Sequence, residues 1–186
     1  QKGAIDVKKV VSIALALLMV AVMLPVMAMA EGTTLQSRID AGETTITLTE
    51  NVTESITIPK DKTVTLNLNG NTLTNEANED TITVALGGTL TIEGAGTVDN
   101  ISHGRAAVYN NGTVTINGGT YTRSEEKGTG NPNSDNGNSW YTIANYGTME
   151  INTGVTVENA GGYSSMIRNG GEATADCNLT IRGGNF

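Results

Sequence analysis

A five-residue phrase recurs along this chain. It reads Gly-Thr-Leu-Thr-Ile at residues 88–92, Gly-Thr-Val-Thr-Ile at 112–116 and Gly-Thr-Met-Glu-Ile at 147–151, with a looser copy at 178–181. The first two copies begin at a spacing of 24 (112 − 88). Repetition at a fixed period of this size marks a repeat architecture, in which each unit buries its apolar face only against its neighbours. Because the repeated unit alternates apolar and polar residues as a strand does, the sequence predicts a solenoid built from β-sheet.

The composition fits short strands joined by tight corners. Aromatic residues make up 4% of the chain, which also contains 23 glycines. The abundant Thr, Val and Ile favour strands, whereas Gly and Asn supply the positive φ angles that corners need. Strands are predicted at residues 45–48, 55–58, 64–68, 72–74, 82–86, 89–92 and 97–98. We therefore expect an all-β fold, a single-stranded right-handed parallel β-helix of about six coils with three short strands each.

The N-terminal segment has the pattern of a secretory signal peptide. Lys8 and Lys9 precede an apolar stretch at residues 10–22, Pro25 breaks it, and residues 28–30 (Ala-Met-Ala) form a small-x-small cleavage site. The alternative is a membrane anchor, because about 20 apolar residues can span a bilayer. The predicted boundaries are residues 1–30 for the signal peptide and residues 31–186 for the β-helix domain. Since the sequence stops at Phe186 in mid-coil, we also expect the natural protein to continue.

The charge of the predicted mature domain limits its partners. The predicted signal peptide contains three lysines and one aspartate, which leaves 11 − 3 = 8 basic and 19 − 1 = 18 acidic side chains and a formal charge of −10. Nucleic acids and anionic lipid surfaces both require a basic surface. We therefore expect no nucleic-acid partner and no membrane insertion after signal cleavage. The predicted location is extracellular, either secreted or attached to the cell wall.

Two local patterns predict structure at the ends of the domain. In residues 34–42, Thr34 is a candidate N-cap, Leu35 and Ile39 are spaced as i and i+4, and a glycine ends the pattern. This pattern predicts a short helix over the open end of the solenoid, where an uncovered strand would expose unpaired backbone groups. Cys177 has no second cysteine to pair with, and period-two counting from Leu179 places it on the inward face as a small buried hydrophobe.

A second phrase places asparagine at equivalent points of the later coils. Asn110, Asn145 and Asn169 each come two positions after an aliphatic residue, at spacings of 35 (145 − 110) and 24 (169 − 145). The excess of 11 is a polar insertion around residues 123–139. Period-two counting turns these asparagines inward, where amides about 4.8 Å apart can hydrogen-bond to one another. We predict a structural asparagine ladder, and in the preceding coil we expect Leu86 to take the place of the asparagine.

Several stretches resemble a known class of proteins. Residues 46–52 and 56–73, the phrase Asn-Gly-Thr-Val-Thr-Ile-Asn-Gly-Gly-Thr-Tyr ending at Tyr121, and the closing Leu-Thr-Ile-Arg-Gly-Gly-Asn-Phe resemble secreted right-handed parallel β-helix proteins of Gram-positive gut bacteria. Such proteins share the architecture of pectate lyases and are often described as pectate-lyase-like or adhesin-like. The resemblance covers residues 31–186 and implies the fold and the compartment. It does not imply an activity, because one fold carries many functions.

The sequence does not contain the spacing that catalysis on such a scaffold requires. A pectate lyase needs carboxylates that bind calcium and a basic residue, usually arginine, yet Asp80 and Asp99 have no carboxylate one period of 24 later. His103 and Arg105 are the one histidine and a nearby arginine, and we expect them in a solvated turn. We predict no catalytic residue, no metal ligand and no cofactor. Calcium binding by the acidic insertion at residues 125–135 is the alternative, although these residues lack the spacing of a calcium loop.

An aromatic group offers a candidate binding surface. Tyr109 and Tyr146 fall between inward positions and should point outward, Trp140 ends the insertion, and Tyr163 opens the next coil. Exposed rings of this kind can stack on sugar faces, whereas the alternative is that they pack the insertion against the helix wall. The sequence thus predicts a non-catalytic secreted or cell-surface module for adhesion or binding of glycans or host ligands. A polysaccharide lyase or glycoside hydrolase, and a structural spacer of a larger surface protein, are the alternatives.

Overall fold

Short strands follow one another along the chain, and most of the connections between them are corners of two to four residues. The computed structural model describes residues 33–76, 78–125, 141–158, 165–171 and 177–186. Within these residues the secondary structure is helix α1 (Leu35–Asp40) and strands β1 (Thr45–Thr47), β2 (Val52–Thr53), β3 (Ile56–Ile58), β4 (Thr63–Asn67), β5 (Thr72–Thr74), β6 (Ile82–Val84), β7 (Thr89–Glu93), β8 (Thr97–Asp99), β9 (Val108–Asn110), β10 (Thr113–Ile116), β11 (Gly119–Thr122), β12 (Tyr141–Asn145), β13 (Thr148–Ile151), β14 (Val155–Val157), β15 (Ser165–Asn169) and β16 (Asn178–Ile181). The predicted signal peptide lies outside the described residues.

The strands form three parallel sheets. Sheet A has the order β1-β4-β7-β10-β13-β16, sheet B the order β2-β5-β8-β11-β14, and sheet C the order β3-β6-β9-β12-β15. Each strand pairs in parallel with the strand three places later, so three successive strands make one coil and the next three lie on top of them. This topology confirms the predicted parallel β-helix.

The coils stack in register, which places like residues over like residues. In sheet A, Leu90 pairs with Val114, and Val114 pairs with Met149. All three side chains are at most 1% exposed. The register is the same whether the sequence offset between coils is 24 (113 − 89) or 35 (148 − 113), because the extra length lies in the corner between β11 and β12. The core is therefore built from continuous aliphatic stacks, as the sequence predicts.

Helix α1 covers the first coil, as expected. Thr34 caps its N-terminus and accepts a hydrogen bond from the backbone N–H of Ser37. Leu35 and Ile39, one turn apart on one face of the helix, are buried in the core. The helix thus closes the end of the aliphatic stacks, with contacts to β3 of sheet C.

Two polar side chains bind the helix to the open strand edge. The amide of Gln36 accepts a hydrogen bond from the backbone N–H of Thr57 (2.7 Å) and donates one to its carbonyl (3.1 Å), as a neighbouring strand would. In return, the carboxylate of Glu54 accepts hydrogen bonds from the first backbone N–H groups of the helix, those of Leu35 (2.7 Å) and Gln36 (2.8 Å). Gln36 therefore satisfies backbone groups at the edge of β3 that no strand of the described chain pairs on that side.

Stacked asparagine amides form a hydrogen-bonded ladder inside sheet C. The amide of Asn110 donates to Asn145 (2.7 Å), and that of Asn145 donates to Asn169 (2.6 Å). Asn110 and Asn145 are fully buried, and they also bond to the turn backbone at Gly112 and Gly147. Asn169 lies on the last described strand of the sheet and is exposed. Each buried amide is thus satisfied by its equivalents and by the following corner.

The expectation for Leu86 is wrong. Val84 pairs with Asn110, at a sequence offset of 26 (110 − 84), and Leu86 is 79% exposed. The reason is a difference in corner length. Four residues separate β6 from β7 (89 − 84 − 1), whereas two separate β9 from β10 (113 − 110 − 1). An aliphatic residue therefore still takes the asparagine position in the earlier coil, but it is Val84.

Cys177, just before the last described strand, is half-buried. Its Sγ atom packs against Gly170, where a side chain larger than hydrogen would clash with it, since a Cβ there would lie 2.7 Å from the sulfur. On the same strand β16, Leu179 is partly buried against the core and Ile181 is 48% exposed. Burial on this strand is therefore less complete than in the middle coils.

Removal of the Gln36 amide should destabilise the first coil. We expect Gln36→Ala to lower the free energy of unfolding by about 1–2 kcal/mol, because Thr57 loses a donor and an acceptor. The unpaired edge should also promote self-association, measured by sedimentation alongside urea unfolding. Arg38→Gln, which breaks only the ion pair with Glu43 on the same helix, is the matched control and should cost less than about 1 kcal/mol. Equal stability of the Gln36→Ala variant and the parent would contradict this role.

Removal of one amide from the asparagine ladder should also destabilise the fold. Asn145→Ala should lower the free energy of unfolding by about 2–3 kcal/mol, because the buried amide of Asn110 loses one of its two acceptors and keeps only the carbonyl of Thr148. Asn152→Ala is the control, since Asn152 bonds to Asn117 in an exposed side-chain pair (2.8 Å) and should cost less than about 0.5 kcal/mol. Chemical denaturation of both variants makes the comparison, and similar losses would rule out a special contribution from the buried ladder.

Candidate functional site

The outward side of sheet C carries aromatic, hydroxyl and charged side chains close to one another. The strand register places one outward residue from each of its five strands in a single row. In order from β3 to β15 this row is Thr57, Thr83, Tyr109, Ala144 and Arg168. We call this surface the outer face of sheet C. Neighbouring residues of the row are one strand apart, about 4.8 Å.

Tyrosines and an arginine gather at the later strands of this face. The rings of Tyr109 and Tyr146 have centroids 5.2 Å apart and planes inclined by 40°. The guanidinium carbon of Arg168 lies 5.6 Å from the Tyr146 centroid and 5.3 Å from that of Tyr141. These contacts are within the range of cation–π attraction. We call these four residues the aromatic cluster.

The backbone and a small neighbour help to hold Arg168 in place. Its Nε donates a hydrogen bond to the carbonyl of Gly170 (2.8 Å), which fixes the start of the guanidinium group. Ala144, the row residue between Tyr109 and Arg168, is fully buried. Because its side chain is only a methyl group, the larger side chains on either side can approach each other across it.

A polar pocket adjoins the aromatic cluster at the earlier strands. It has a volume of about 270 Å³. Its lining residues come from β3, β6 and the corners before β3, β6 and β9, and are Ser55, Ile56, Thr57, Asn78, Glu79, Asp80, Thr83 and Arg105. Thr57 and Thr83 are neighbours in the outward row, and Tyr109 comes next after Thr83. Pocket and cluster are therefore adjacent parts of one surface.

Asp80 is the most deeply placed charged group of the polar pocket. Its carboxylate accepts a hydrogen bond from the backbone N–H of Ala106 (2.6 Å). Burial raises the pKa of Asp80, and this effect outweighs the hydrogen bond and the nearby positive charges of Arg105 and Arg123, which lower it. The pKa of Tyr109 is raised too, mainly by burial and further by Tyr146 and the charge of Asp80. The two parts of the surface therefore influence each other electrostatically.

Buried polar side chains hold the corners that form the pocket. Asn100 is fully buried, and its amide donates to the carbonyls of Glu79 (2.9 Å) and Ala106 (2.9 Å). Asn75, also fully buried, donates to the hydroxyl of Ser102 (2.8 Å). These bonds tie the corner that contains Asp80 to the corner that contains Arg105. The pocket is thus built on a fixed frame, which the sequence patterns did not predict.

The residues predicted for the site are only partly described. Tyr109 and Tyr146 lie together on the outer face of sheet C, whereas Trp140 and Tyr163 lie outside the described residues. Their role in binding stays a prediction. Arg105 lines the polar pocket, while His103 is exposed and is not among the lining residues.

Two members of the aromatic cluster were missed from the sequence. Arg168 occupies the same place in the phrase ending at Asn169 that Tyr109 occupies in the phrase ending at Asn110. That equivalence was a usable signal. Tyr141 follows Trp140 at the end of the insertion and had no such signal.

Neither a metal centre nor a membrane span is found among the described residues. Within them, no group of three or more His, Cys, Asp or Glu side chains is placed to hold a metal ion. The calcium alternative involved residues 125–135, of which only Glu125 is described. In the same part of the chain, no helix has the length and apolar character needed to cross a bilayer.

Comparison with known proteins adds no family. The chain matches no family model, no curated protein and no solved structure. The resemblance to pectate-lyase-like proteins therefore stays a prediction, and the function has to be inferred from the surface itself.

The burial of Asp80 leads to a prediction about pH. Because folding raises its pKa above the ordinary value of 3.8, folding favours the protonated carboxyl, and the ionised form costs stability as pH rises through the raised value. Asp80→Asn resembles the protonated form and keeps an acceptor for the N–H of Ala106. We expect the free energy of unfolding of this variant to equal that of the parent in strong acid. Its advantage over the parent should grow as the pH rises towards neutral.

Urea unfolding at several pH values measures that difference. Glu158→Gln removes one exposed carboxylate and serves as the control for a change in net charge. A gain that is the same at every pH, or a loss at neutral pH, would contradict a buried carboxylate at position 80.

Proposed function

We propose that this protein is a non-catalytic secreted or cell-surface module that binds glycans through the outer face of sheet C. The aromatic cluster is the observation that carries the proposal. Three of the five tyrosines in the chain gather there, although aromatic residues make up only 4% of it. Such a concentration on the outer side of a sheet favours a binding role over general packing.

The chemistry of the surface suits sugars. A pyranose ring has C–H faces that pack on aromatic rings and a rim of hydroxyl groups that need hydrogen-bond partners. The Tyr109–Tyr146 pair supplies the aromatic platform, with ring centroids 5.2 Å apart. The adjoining polar pocket supplies donors and acceptors one strand away. The predicted signal peptide and the formal charge of −10 for residues 31–186 fit an extracellular protein.

Binding to a panel of plant and mucin polysaccharides tests the proposal. Tyr109→Ala and Tyr146→Ala should each weaken binding about tenfold, equivalent to about 1.4 kcal/mol. The matching Tyr→Phe variants should retain most of it, since they keep the ring. Thr91→Ala, on the outer face of sheet A, is the control for a change away from the site.

Two results would overturn the proposal. One is that the parent protein binds no polysaccharide in the panel. The other is that both alanine variants bind as well as the parent. If the tyrosines instead pack the insertion against the sheet, the alanine variants should lose stability and leave binding unchanged.

A polysaccharide lyase or glycoside hydrolase is the second candidate. The observation that favours it is the polar pocket, which gathers Glu79, Asp80 and Arg105. Burial raises the pKa of Asp80, as general-acid catalysis requires. New reducing ends or unsaturated products from the same panel, lost in Asp80→Asn, would support this candidate over the non-catalytic module. If the protein shows neither binding nor turnover, the structural spacer is favoured.

A further inference from the structure

The polar pocket is small and lies beside the aromatic cluster. Its volume of about 270 Å³ falls below the roughly 300–1,000 Å³ of pockets for drug-sized ligands. It therefore has room for one ring-sized group. Because Thr83 of the pocket and Tyr109 of the cluster are on adjacent strands, the two sites are about 4.8 Å apart along the row. That separation suits successive residues of one sugar chain.

The lining groups match the hydroxyls of a sugar. Ser55, Thr57 and Thr83 offer hydroxyl groups, which can both donate and accept. One carboxylate oxygen of Asp80 accepts a hydrogen bond from the backbone N–H of Ala106. The other carboxylate oxygen can accept a hydrogen bond from a sugar hydroxyl. Because the buried amide of Asn100 holds the corners in place, little ordering is needed on binding.

The charge of the pocket disfavours an acidic sugar. Among the lining residues, Glu79 and Asp80 bring two carboxyl groups and Arg105 one cation. Arg123, whose positive charge also acts on Asp80, is buried and is not a lining residue, so it cannot contact a ligand in the pocket. A carboxylate or sulfate on the ligand would lie beside like charges in a partly desolvated site, which is costly. Arg168, the cation of the aromatic cluster, is three strands from Thr83 in the row, about 14 Å, and cannot offset that repulsion.

We infer that the polar pocket binds one uncharged hexose residue and selects against uronic and sulfated sugars. The neighbouring residue of the same glycan stacks on Tyr109. This inference rests on the proposed glycan-binding function, which assigns binding to the face but no sugar class. Glu79 and Asp80 then determine the specificity for uncharged sugars, whereas Tyr109 and Tyr146 provide most of the affinity for the glycan.

The experiment compares each neutral polysaccharide that the protein binds with the same polysaccharide oxidised at C6 to the uronic acid. The two probes share linkage and length and differ in charge. The parent should prefer the neutral form by about tenfold or more. Glu79→Gln combined with Asp80→Asn should reduce that preference to about twofold or less, because both repelling charges are removed.

Two further variants separate specificity from affinity. Tyr109→Ala should weaken binding of both probes by the same factor and leave their ratio unchanged. Thr57→Val should weaken binding of the neutral probe about fivefold through the loss of one hydroxyl. Urea unfolding of every variant shows whether the fold is kept, and Asp80→Asn retains the acceptor for Ala106.

The outcomes distinguish this inference from the proposed function. Equal binding of the neutral and oxidised probes by the parent, or an unchanged preference in the double variant, overturns the inference and leaves glycan binding in place. Absence of binding to every polysaccharide overturns both. A preference that falls in the double variant and persists in Tyr109→Ala supports the assignment of specificity to the polar pocket.

Discussion

Parallel pairing in register is the constraint on which this molecule depends. Each residue of a strand lies over the residue at the same place in the coil before it, so inward positions pack mostly against residues like themselves, with Val84 under Asn110 as an exception. Leu90, Val114 and Met149 meet this condition as aliphatic groups of different shape. The same geometry makes polar interiors possible, because an amide can bond to its equivalent one strand away. Asn110 and Asn145 use that opportunity and remain fully buried.

The outward surface follows from the same register. A row of side chains one strand apart brings residues that are distant in sequence into contact, as Tyr109 and Tyr146 show. The corners add a second contribution, since the buried amides of Asn75 and Asn100 fix two corners beside the sheet. The site therefore combines a regular part, the sheet, with an irregular part, the corners. The proposed sugar recognition would use both, because a sugar ring stacks on the face of an aromatic ring and its hydroxyl groups require varied partners.

The regular part could be predicted from the sequence and the irregular part could not. The repeat period and strict alternation were enough to find the coils, the inward faces and the asparagine ladder. The failure at Leu86 shows the limit, because a difference in corner length shifts the pairing to Val84. The strand-like bonding of Gln36 depends on how helix α1 docks, which no repeat encodes. The polar pocket was missed for a similar reason, since Asp80 and Arg105 belong to different corners with no common motif.

The connection between β11 and β12 adds chain length without changing the register of sheet A. It makes its coil longer than the preceding one, yet Val114 still pairs with Met149 as though the coil were of ordinary length. The register of sheet A is therefore the same across the shorter and the longer coil. Because this connection leads directly into Tyr141 of the aromatic cluster, it adds chain length beside the cluster while the aliphatic stacks keep their pairing.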